Sequence, residues 1–421
     1  MNQFFKHCFS LLFIIWFSTS IYAQDTTQVI FEGRTNSKEQ QAKPYVILIS
    51  ADGFRYDLAD KYNAVFLKKM RDSGVSAESM KPSYPTLTFP NHYTIVTGLY
   101  PSHHGIVGNS FYGDNGKLKY TYTNPKSAGN GAWYGGLPLW VLAEQQKMIS
   151  ASFYWVGSEA DIQGVRPTYY YRYNERIPIT RRIQVIKQWL QLPEDKRPHF
   201  ITVYFPQVDH EEHSHGTESD SVREAVQLVD QAIELLTQTI DSLNLPVNYV
   251  FLSDHGMINT DYQNPILLPQ ALDTTLFNMA VSGTIVQLYA RKKSDIKPTY
   301  KKLKAEAKRY TPYLKKHMPA KWHYGKKDDC FKRIGDIVLV PDAGKVFNFF
   351  GRRSAKGDHG YDNDLKEMQA TFYAWGPAFK QHLKIASFEN IHVYPLISHI
   401  LGLKQTCPID GDFNVLKATL K

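Results

Sequence analysis

Five uninterrupted apolar runs of strand length constrain the fold of this chain more than any other feature. They lie at residues 45–50, 152–156, 200–205, 249–252 and 371–375. Runs without polar alternation are typical of strands covered on both faces. Helical patterns separate them, and the clearest spans residues 221–243 with an apolar stripe formed by Val222, Val226, Val229, Ile233, Leu236 and Ile240. Alternating strands and helices predict a doubly wound α/β sheet.

Acids and histidines follow three of these runs. Asp52 comes just after the first, Asp209 and His213 follow the third, and Asp254 and His255 follow the fourth. Ligands of open α/β sheets bind beyond the carboxyl ends of the strands. Each motif alone has an ordinary interpretation as a turn, a solvated loop or a helix cap. Their recurrence at one sheet edge indicates a functional site.

Length and composition exclude several other classes. The 421 residues are 43% hydrophobic, which excludes a disordered protein, and 26 glycines with 22 prolines exclude a fibrous repeat. Three cysteines exclude a small disulfide scaffold and a cysteine-based zinc module. Of these, Cys330 and Cys407 lie far from the N-terminus. They either pair in an oxidising compartment or remain buried thiols.

The N-terminus has the pattern of a targeting segment. Residues 1–23 contain one cationic side chain, an apolar run and a small residue at the end, which predicts a signal peptide and a periplasmic or secreted protein. Residues 24–43 are polar and without period, and predict a flexible lead-in. We expect a single domain over 44–421. No later run is long enough for a transmembrane anchor.

A second pattern begins after Gly283. Apolar segments at 284–289 and 336–340 flank a basic stretch, and predict a small inserted α+β subdomain over 283–345. The stretch 291–333 contains 16 Lys and Arg against 4 Asp and Glu. Either it binds an anionic partner, or it is the solvated face of an amphipathic helix with Leu303, Ala307, Tyr310 and Leu314 inside. Nucleic acid binding as the main function ranks last.

Residues 84–98 carry a specific family resemblance. They read Tyr-Pro-Thr-Leu-Thr-Phe-Pro-Asn-His-Tyr-Thr-Ile-Val-Thr-Gly, with Asp52-Gly53 upstream and His-His-Gly-Ile-Val-Gly-Asn at 103–109 downstream. The chain resembles the nucleotide pyrophosphatase/phosphodiesterases of the alkaline phosphatase superfamily from about residue 45 to 403. The resemblance implies an alkaline-phosphatase-like core with a central, mostly parallel sheet flanked by helices.

The resemblance also implies the roles of individual residues. Thr88 matches the nucleophile, and Asn109 matches the residue that binds a non-bridging phosphate oxygen. The ligands of the metal that Thr88 touches are Asp52, Asp254 and His255, and those of the second metal are Asp209, His213 and His359. Three histidines with oxygen ligands suit zinc better than magnesium or calcium, so we expect two Zn²⁺ per chain. A helix should begin near Phe89 and direct its N–H groups at the phosphate.

A pocket for a nucleotide base is implied by the same resemblance. Phe89, Tyr173 and Tyr204 match the base-stacking residues, and Trp155 and Glu159 resemble a further part of that pocket. The ordinary alternative is that these aromatic side chains belong to the core.

Three positions need separate mention. Glu212 stands where the family usually has glycine. Asp358 resembles a ligand, but the family assigns only His359 there. Thr86 would be the nucleophile only if the alignment were shifted by two residues.

The implied activity is hydrolysis of nucleotide phosphodiester or phosphoanhydride bonds through a covalent threonine intermediate, with release of nucleoside 5′-monophosphates. A phosphomonoesterase or a lipid-headgroup phosphodiesterase on the same bimetallic core is the alternative within catalysis. A non-catalytic nucleotide-binding envelope protein is the alternative outside it.

Overall fold

The first apolar run forms the middle strand of a nine-stranded sheet in the computed structural model, which describes residues 27–351 and 353–421. The predicted signal peptide, residues 1–23, lies outside the described residues. In chain order the strands are β1 (Gln28–Ile30), β2 (Tyr45–Ala51), β3 (Val75–Ala77), β4 (Met80–Lys81), β5 (Ser110–Gly113), β6 (Leu118–Thr121), β7 (Ser150–Phe153), β8 (Tyr169–Tyr171), β9 (Phe200–Phe205), β10 (Val247–Leu252), β11 (Ile258–Asn259), β12 (Phe277–Val281), β13 (Val286–Ala290), β14 (Tyr310–Leu314), β15 (Ile337–Pro341), β16 (Gly357–Asp358), β17 (Phe372–Trp375), β18 (Leu383–Ile385) and β19 (Phe388–Glu389).

The α-helices of the same residues are α1 (Lys38–Gln41), α2 (Leu58–Lys61), α3 (Val65–Ser73), α4 (Thr88–Thr97), α5 (Pro101–His104), α6 (Pro125–Ala128), α7 (Leu139–Gln145), α8 (Ile179–Leu190), α9 (Gln207–His215), α10 (Asp220–Asp241), α11 (Ile296–Glu306), α12 (Val393–Ile400) and α13 (Phe413–Lys417). Among these described helices, none has both the length and the apolar character that crossing a bilayer requires.

The central sheet is mostly parallel, as predicted. Its order is β1-β8-β7-β9-β2-β10-β17-β3-β18, and only β1 and β17 run against the other strands. β2 lies between β9 and β10 and is parallel to both. The carboxyl ends of these three strands therefore meet at one edge.

Both faces of the sheet are covered. Along β2, Val46 and Leu48 enter one core, which α4, α7 and α12 cover. Ile47 and Ile49 enter the other core, which α3, α8 and α10 cover. This alternation explains why the predicted strands are apolar throughout. The stripe of α10 is buried as predicted. The N-cap of this helix is Ser219, whose Oγ accepts a hydrogen bond from the Val222 N–H.

The inserted segment forms a separate antiparallel sheet, β12-β13-β15-β14, with α11 against it. This sheet includes β12, which precedes residue 283. The predicted helix is too long. It ends at Glu306, and Tyr310 and Leu314 lie on β14 instead. Ala307 leaves the helical conformation, and Pro312 lacks the N–H that a helix interior requires.

The expected flexible lead-in contains regular structure from residue 28 onward. β1 pairs antiparallel with β8 at the sheet edge, and Ser37 caps α1. β1 is stabilised by partners at residues 169–171, about 140 positions away, so its own sequence shows no strand period. Cys330 and Cys407 are both free thiols and both exposed, so the buried-thiol alternative is wrong.

Candidate metal centre

Parallel strands bring the predicted acids to one place. Asp52 directly follows β2, Asp254 follows β10, and Asp209 lies in the first turn of α9, which begins just after β9. β2 residue Ser50 is in register with Leu252 of β10 and Tyr204 of β9, so the three strands end level with each other. The Asp209 N–H also donates to the Asp52 carbonyl at 3.2 Å.

Asp52, Asp254 and His255 form the first group of potential ligands. The Nε2 atom of His255 lies 3.0 Å from Asp254 Oδ2 and 3.4 Å from Asp52 Oδ1. Thr88 Oγ1 lies 3.3 Å from the same nitrogen. The first predicted ligand set is therefore close together, with the predicted nucleophile beside it.

Asp209 lies between the two histidines of the second predicted set. Its Oδ1 is 3.3 Å from His213 Nε2 and 3.6 Å from His359 Nε2. His213 follows Asp209 by one helical turn on α9, and His359 arrives from the loop after β16. Asp358 also falls in a donor group with these histidines, although its Oδ1 accepts the His359 N–H at 2.9 Å.

All three histidines are held in the same orientation by the backbone. The Nδ1 atoms of His255, His213 and His359 lie 3.0, 2.8 and 2.8 Å from the carbonyl oxygens of Gly256, Gly357 and Thr86. A carbonyl can only accept, so Nδ1 carries a proton, and in the neutral ring Nε2 presents its lone pair to the centre. This arrangement is usual for histidines that bind metals.

The donor geometry fits zinc. Two ligand atoms bound at about 2.0–2.1 Å to one tetrahedral zinc ion lie about 3.3–3.4 Å apart. Most donor pairs described above have this spacing. In addition, Asp52 Oδ1, Asp209 Oδ1 and Asp254 Oδ2 are buried and have no hydrogen-bond partner among the described residues. Buried carboxylate oxygens without a partner are costly unless a cation balances them.

Burial and mutual charge perturb these groups strongly. Burial, together with the neighbouring Asp254 and Asp209, raises the pKa of Asp52 well above its usual range. Burial lowers the pKa of His359 to about 3, with a further contribution from His255. Although burial opposes it, the Asp209 carboxylate raises the pKa of His213 to about 10. Such clustered shifts are typical of functional sites.

Thr88 is the first residue of α4, so its N–H has no partner within the helix and lies beside its hydroxyl. The Phe89 N–H donates to Asn109 Oδ1 at 3.0 Å, which leaves the Asn109 amide nitrogen as a donor. Thr86 is fully buried, and its hydroxyl donates to the Tyr361 carbonyl at 3.0 Å. Thr86 therefore supports the His359 loop.

The predicted pocket residues differ in accessibility. Tyr173 is 44% exposed, and Phe89 and Tyr204 are half-buried. Trp155 is only 6% exposed, and its Nε1 donates to the His92 carbonyl at 3.0 Å, so it supports α4. Glu159 accepts the Tyr173 N–H at 2.6 Å, so its carboxylate holds the Tyr173 backbone.

Sequence reasoning assigned no role to His92. Its Nε2 lies 2.8 Å from Ser50 Oγ, and its Nδ1 lies 3.2 Å from Asp254 Oδ2 and 3.0 Å from the Thr88 carbonyl. The available signal was its spacing, because a residue four positions after Thr88 lies on the same helix face.

Two further features became visible only in the structure. The Tyr204 hydroxyl donates to Asp52 Oδ2 at 2.5 Å. Glu212 is fully buried, and neither carboxylate oxygen has a hydrogen-bond partner within the described residues.

The fold and the donor groups together define an α/β protein with an alkaline-phosphatase-like core. Its sequence matches the type I phosphodiesterase / nucleotide pyrophosphatase family over residues 46–362. The chain belongs to this family.

Curated relatives and solved structures support the same family assignment. The chain is 35% identical over 396 residues to ectonucleotide pyrophosphatase/phosphodiesterase family member 1 of Mus musculus, covering 90% of this chain and 43% of that protein. It is 35% identical over 406 residues to venom phosphodiesterase 2 of Crotalus adamanteus, covering 89% and 47%. The chain thus spans less than half the length of these curated relatives.

Among solved structures, murine ectonucleotide pyrophosphatase/phosphodiesterase 5, as an inactive threonine-to-alanine variant in complex with AMP, superposes with a TM-score of 0.84 at 27% identity. The alignment covers 90% of this chain and 100% of that one.

Proposed function

We propose that this protein hydrolyses phosphodiester or phosphoanhydride bonds of nucleotides and releases nucleoside 5′-monophosphates. The observation that carries the proposal is the position of Thr88. Its hydroxyl lies at the N-terminus of α4 and 3.3 Å from His255 Nε2, the spacing of two ligands of one metal ion. A protein that only binds nucleotides has no need for a hydroxyl at that position.

Two zinc ions are the proposed cofactors. Asp52, Asp254 and His255 would hold one, with Thr88 beside it, and Asp209, His213 and His359 would hold the other. When bound, such ions favour an ionised hydroxyl and neutralise the charge on the phosphoryl oxygens.

The side chains of this protein then perform a two-step transfer. Thr88 gives up its hydroxyl proton and forms an Oγ1–P bond while the bond from phosphorus to the leaving oxygen breaks, and the leaving oxygen takes up the released proton. Water then forms a new O–P bond, the Oγ1–P bond breaks, and Thr88 recovers its proton. The sum is the addition of one water molecule. The Thr88 N–H and the Asn109 amide nitrogen donate to the non-bridging oxygens.

The nucleoside part of the substrate would lie against aromatic side chains. Phe89 directly follows Thr88, and the Tyr204 hydroxyl donates to Asp52. Tyr173 presents an exposed ring whose centroid is 6.0 Å from that of Tyr204. Stacking contributes about 1–3 kcal/mol per base and tolerates any base. The AMP complex of the murine relative supports a nucleotide as a ligand of this protein.

Export is proposed on the pattern of residues 1–23. We expect the mature protein to begin near Gln24 in a periplasmic or secreted fraction. N-terminal sequencing of the protein recovered from that fraction tests this, and a chain still carrying Met1 there would contradict it.

The activity is tested with three chromogenic substrates and zinc-loaded protein. They are the nitrophenyl ester of thymidine 5′-monophosphate, bis-nitrophenyl phosphate and nitrophenyl phosphate. We expect preference for the nucleotide diester and a loss of at least about a thousandfold in kcat in Thr88→Ala, because the nucleophile is gone. Thr97→Ala is the matched control and should retain most activity, because the Thr97 hydroxyl donates to the Tyr93 carbonyl at the other end of α4.

Other results would identify the alternatives. Preference for the monoester would indicate a phosphomonoesterase on the same core. Absence of turnover on all three substrates would point to a lipid-headgroup phosphodiesterase or to a binding protein, and would contradict the proposal.

A further inference from the structure

The outer face of α11 and its flanks carries an unbalanced positive charge. Eight cationic side chains here are exposed, and none of them forms an ion pair within the described residues: Arg291, Lys292, Lys293, Lys297, Lys301, Lys302, Lys304 and Lys308. We call these residues the basic face. The carboxylate of Glu306 does not offset them, because it accepts the N–H groups of Gln270 and Ala271 at 2.9 and 2.7 Å.

Three exposed apolar side chains lie on two neighbouring loops. Leu267 is 67% exposed, Phe350 is 62% exposed and Leu268 is 40% exposed. We call these three residues the apolar tip. Two of them are among the most exposed large apolar side chains in the described part of the chain. Exposed apolar groups that lie near one another mark interaction sites more often than isolated ones do.

Hydrogen bonds place the apolar tip at the C-terminal end of α11. Arg309 donates to the carbonyls of Asn264 and Pro265 at 2.6 and 3.1 Å, and Glu306 holds residues 270 and 271. The loop between these anchors contains Leu267 and Leu268. The Asn348 N–H donates to the Ile266 carbonyl at 2.8 Å, which brings the segment leading to Phe350 alongside.

An anionic bilayer has the chemistry that complements both features. Lipid phosphates attract exposed Lys and Arg, and aliphatic and aromatic tips gain free energy by entering the interfacial region. A polynucleotide would match the basic face but would gain little from two leucines, which offer no ring for stacking. A second copy of this chain would bring like charge against like charge.

We propose that the basic face and the apolar tip together dock this protein onto an anionic lipid surface. The inner side of α11 is already used, since Leu303 is fully buried in the core of the inserted sheet. The helix therefore lies on the surface with its cations towards the headgroups, and only the apolar tip enters the interface. This inference is independent of the proposed activity.

The test is flotation of the zinc-loaded chain, starting near Gln24, with vesicles. Vesicles of equal parts phosphatidylglycerol and phosphatidylcholine should bind the protein, and pure phosphatidylcholine should bind it at least tenfold less. Raising the salt concentration from 0.05 to about 0.5 M should weaken binding, because screening shortens to a few Å. Lys297→Glu, Lys301→Glu and Lys304→Glu combined should reduce binding at least tenfold.

A second variant tests the apolar contribution. Leu267→Ser, Leu268→Ser and Phe350→Ser combined should reduce binding about fivefold or more, even at low salt. The matched controls replace exposed residues elsewhere: Lys38, Lys117 and Lys126 by Glu, and Val65, Leu118 and Val415 by Ser. Both controls should bind as the parent does. Circular dichroism verifies that every variant is folded.

Three results would overturn the proposal. One is the failure of the unmodified protein to bind the anionic vesicles. Another is binding of a single-stranded oligonucleotide that exceeds vesicle binding and that the apolar variant leaves unchanged, which would assign the surface to polynucleotides. The third is a dimer in sedimentation that the apolar variant dissociates, without vesicle binding, which would assign it to a second copy.

Discussion

The Tyr204 hydroxyl donates to Asp52 Oδ2, while the Tyr204 ring stands edge-on to His92 and Tyr173. The hydroxyl therefore contacts a predicted metal ligand, while the ring lies among the other aromatic side chains. In Tyr204→Phe the ring remains and the hydroxyl is lost, so Asp52 loses one stabilising hydrogen bond. We expect kcat on the thymidine nitrophenyl ester to fall about tenfold with KM nearly unchanged. Steady-state kinetics measures both.

Phe89→Ala is the complementary variant for that comparison. It removes a ring that is not bonded to the carboxylates, so KM for the nucleotide ester should rise while bis-nitrophenyl phosphate is affected less. Equal losses on both substrates in Phe89→Ala would show that this ring serves core packing.

His92 connects α4, the helix that begins at Thr88, to Asp254. Because Nδ1 faces the Asp254 carboxylate and Nε2 meets Ser50 Oγ, His92→Gln should release both contacts. We expect zinc affinity to fall about 10- to 100-fold, as is usual when a residue that orients a ligand is removed. Competition with a chromogenic chelator measures the affinity.

His104→Gln provides the control, since His104 is equally buried but bonds Thr94 Oγ1 at 3.0 Å instead of a carboxylate. If both variants lost zinc affinity alike, the effect would be one of stability alone.

The start of α3 depends on a distant element. Its N-cap residue, Ala64, has no side chain that can accept, and Asp230 of α10 accepts the N–H groups of Phe66 and Leu67 at 3.1 and 2.7 Å. Asp230→Ala should lower the free energy of unfolding by about 1–2 kcal/mol, as loss of a helix cap does. Chemical denaturation measures this, with the exposed Glu224→Ala on the same helix as the control. A shift below about 0.3 kcal/mol would refute the cap.

A pH-dependent contact joins α5 to the C-terminal segment. The His103 Nδ1 lies 2.8 Å from Asp410 Oδ2, and this hydrogen bond raises the pKa of His103 above its ordinary 6.5. A raised histidine pKa stabilises the fold fully below the unfolded value, and that stability is lost as pH rises through the folded value.

The difference in Tm between the parent protein and His103→Gln should therefore be largest below about pH 6.5 and become smaller as the pH rises through the raised pKa of His103. Because the pair is partly exposed, we expect it to contribute about 1 kcal/mol or less to the free energy of unfolding at that maximum. Thermal unfolding across this pH range measures it, and a difference that grows with pH would contradict the assignment.

At the element scale, strands were predictable where their environment is uniform. β2, β9 and β10 are buried on both faces, so most residues in them are apolar, and the polar exceptions are Ser50, Thr202 and Asn248. The end of α11 was not predictable, because Tyr310 and Leu314 have helical spacing from Leu303 and yet enter the same core from a strand. One apolar side chain contributes equally to a core from either element, so spacing alone could not distinguish them.

Metal binding should affect the stability of the whole molecule, because the proposed ligands come from four separate chain regions. Removal of the metal leaves the carboxylates of Asp52, Asp209 and Asp254 buried together. We expect chelation to lower the free energy of unfolding by about 4 kcal/mol for each zinc site, if zinc is present at a thousandfold its dissociation constant. Calorimetry with a chelator, followed by zinc or magnesium, measures this. Recovery with zinc but not magnesium is expected, and an unchanged Tm after chelation would contradict a structural contribution of the metal.

By itself the sequence determined the apolar strands, the sheet class and the chemical groups at its edge, because burial on both faces and ligand chemistry restrict residue types locally. The tertiary structure decided which atoms those groups meet. His92 against Asp254, the Tyr204 hydroxyl on Asp52, the cap from Asp230 and the pairing of β1 with β8 all join residues far apart in the chain. Such contacts depend on how the layers pack, and a local residue pattern carries no information about a partner more than a hundred positions away.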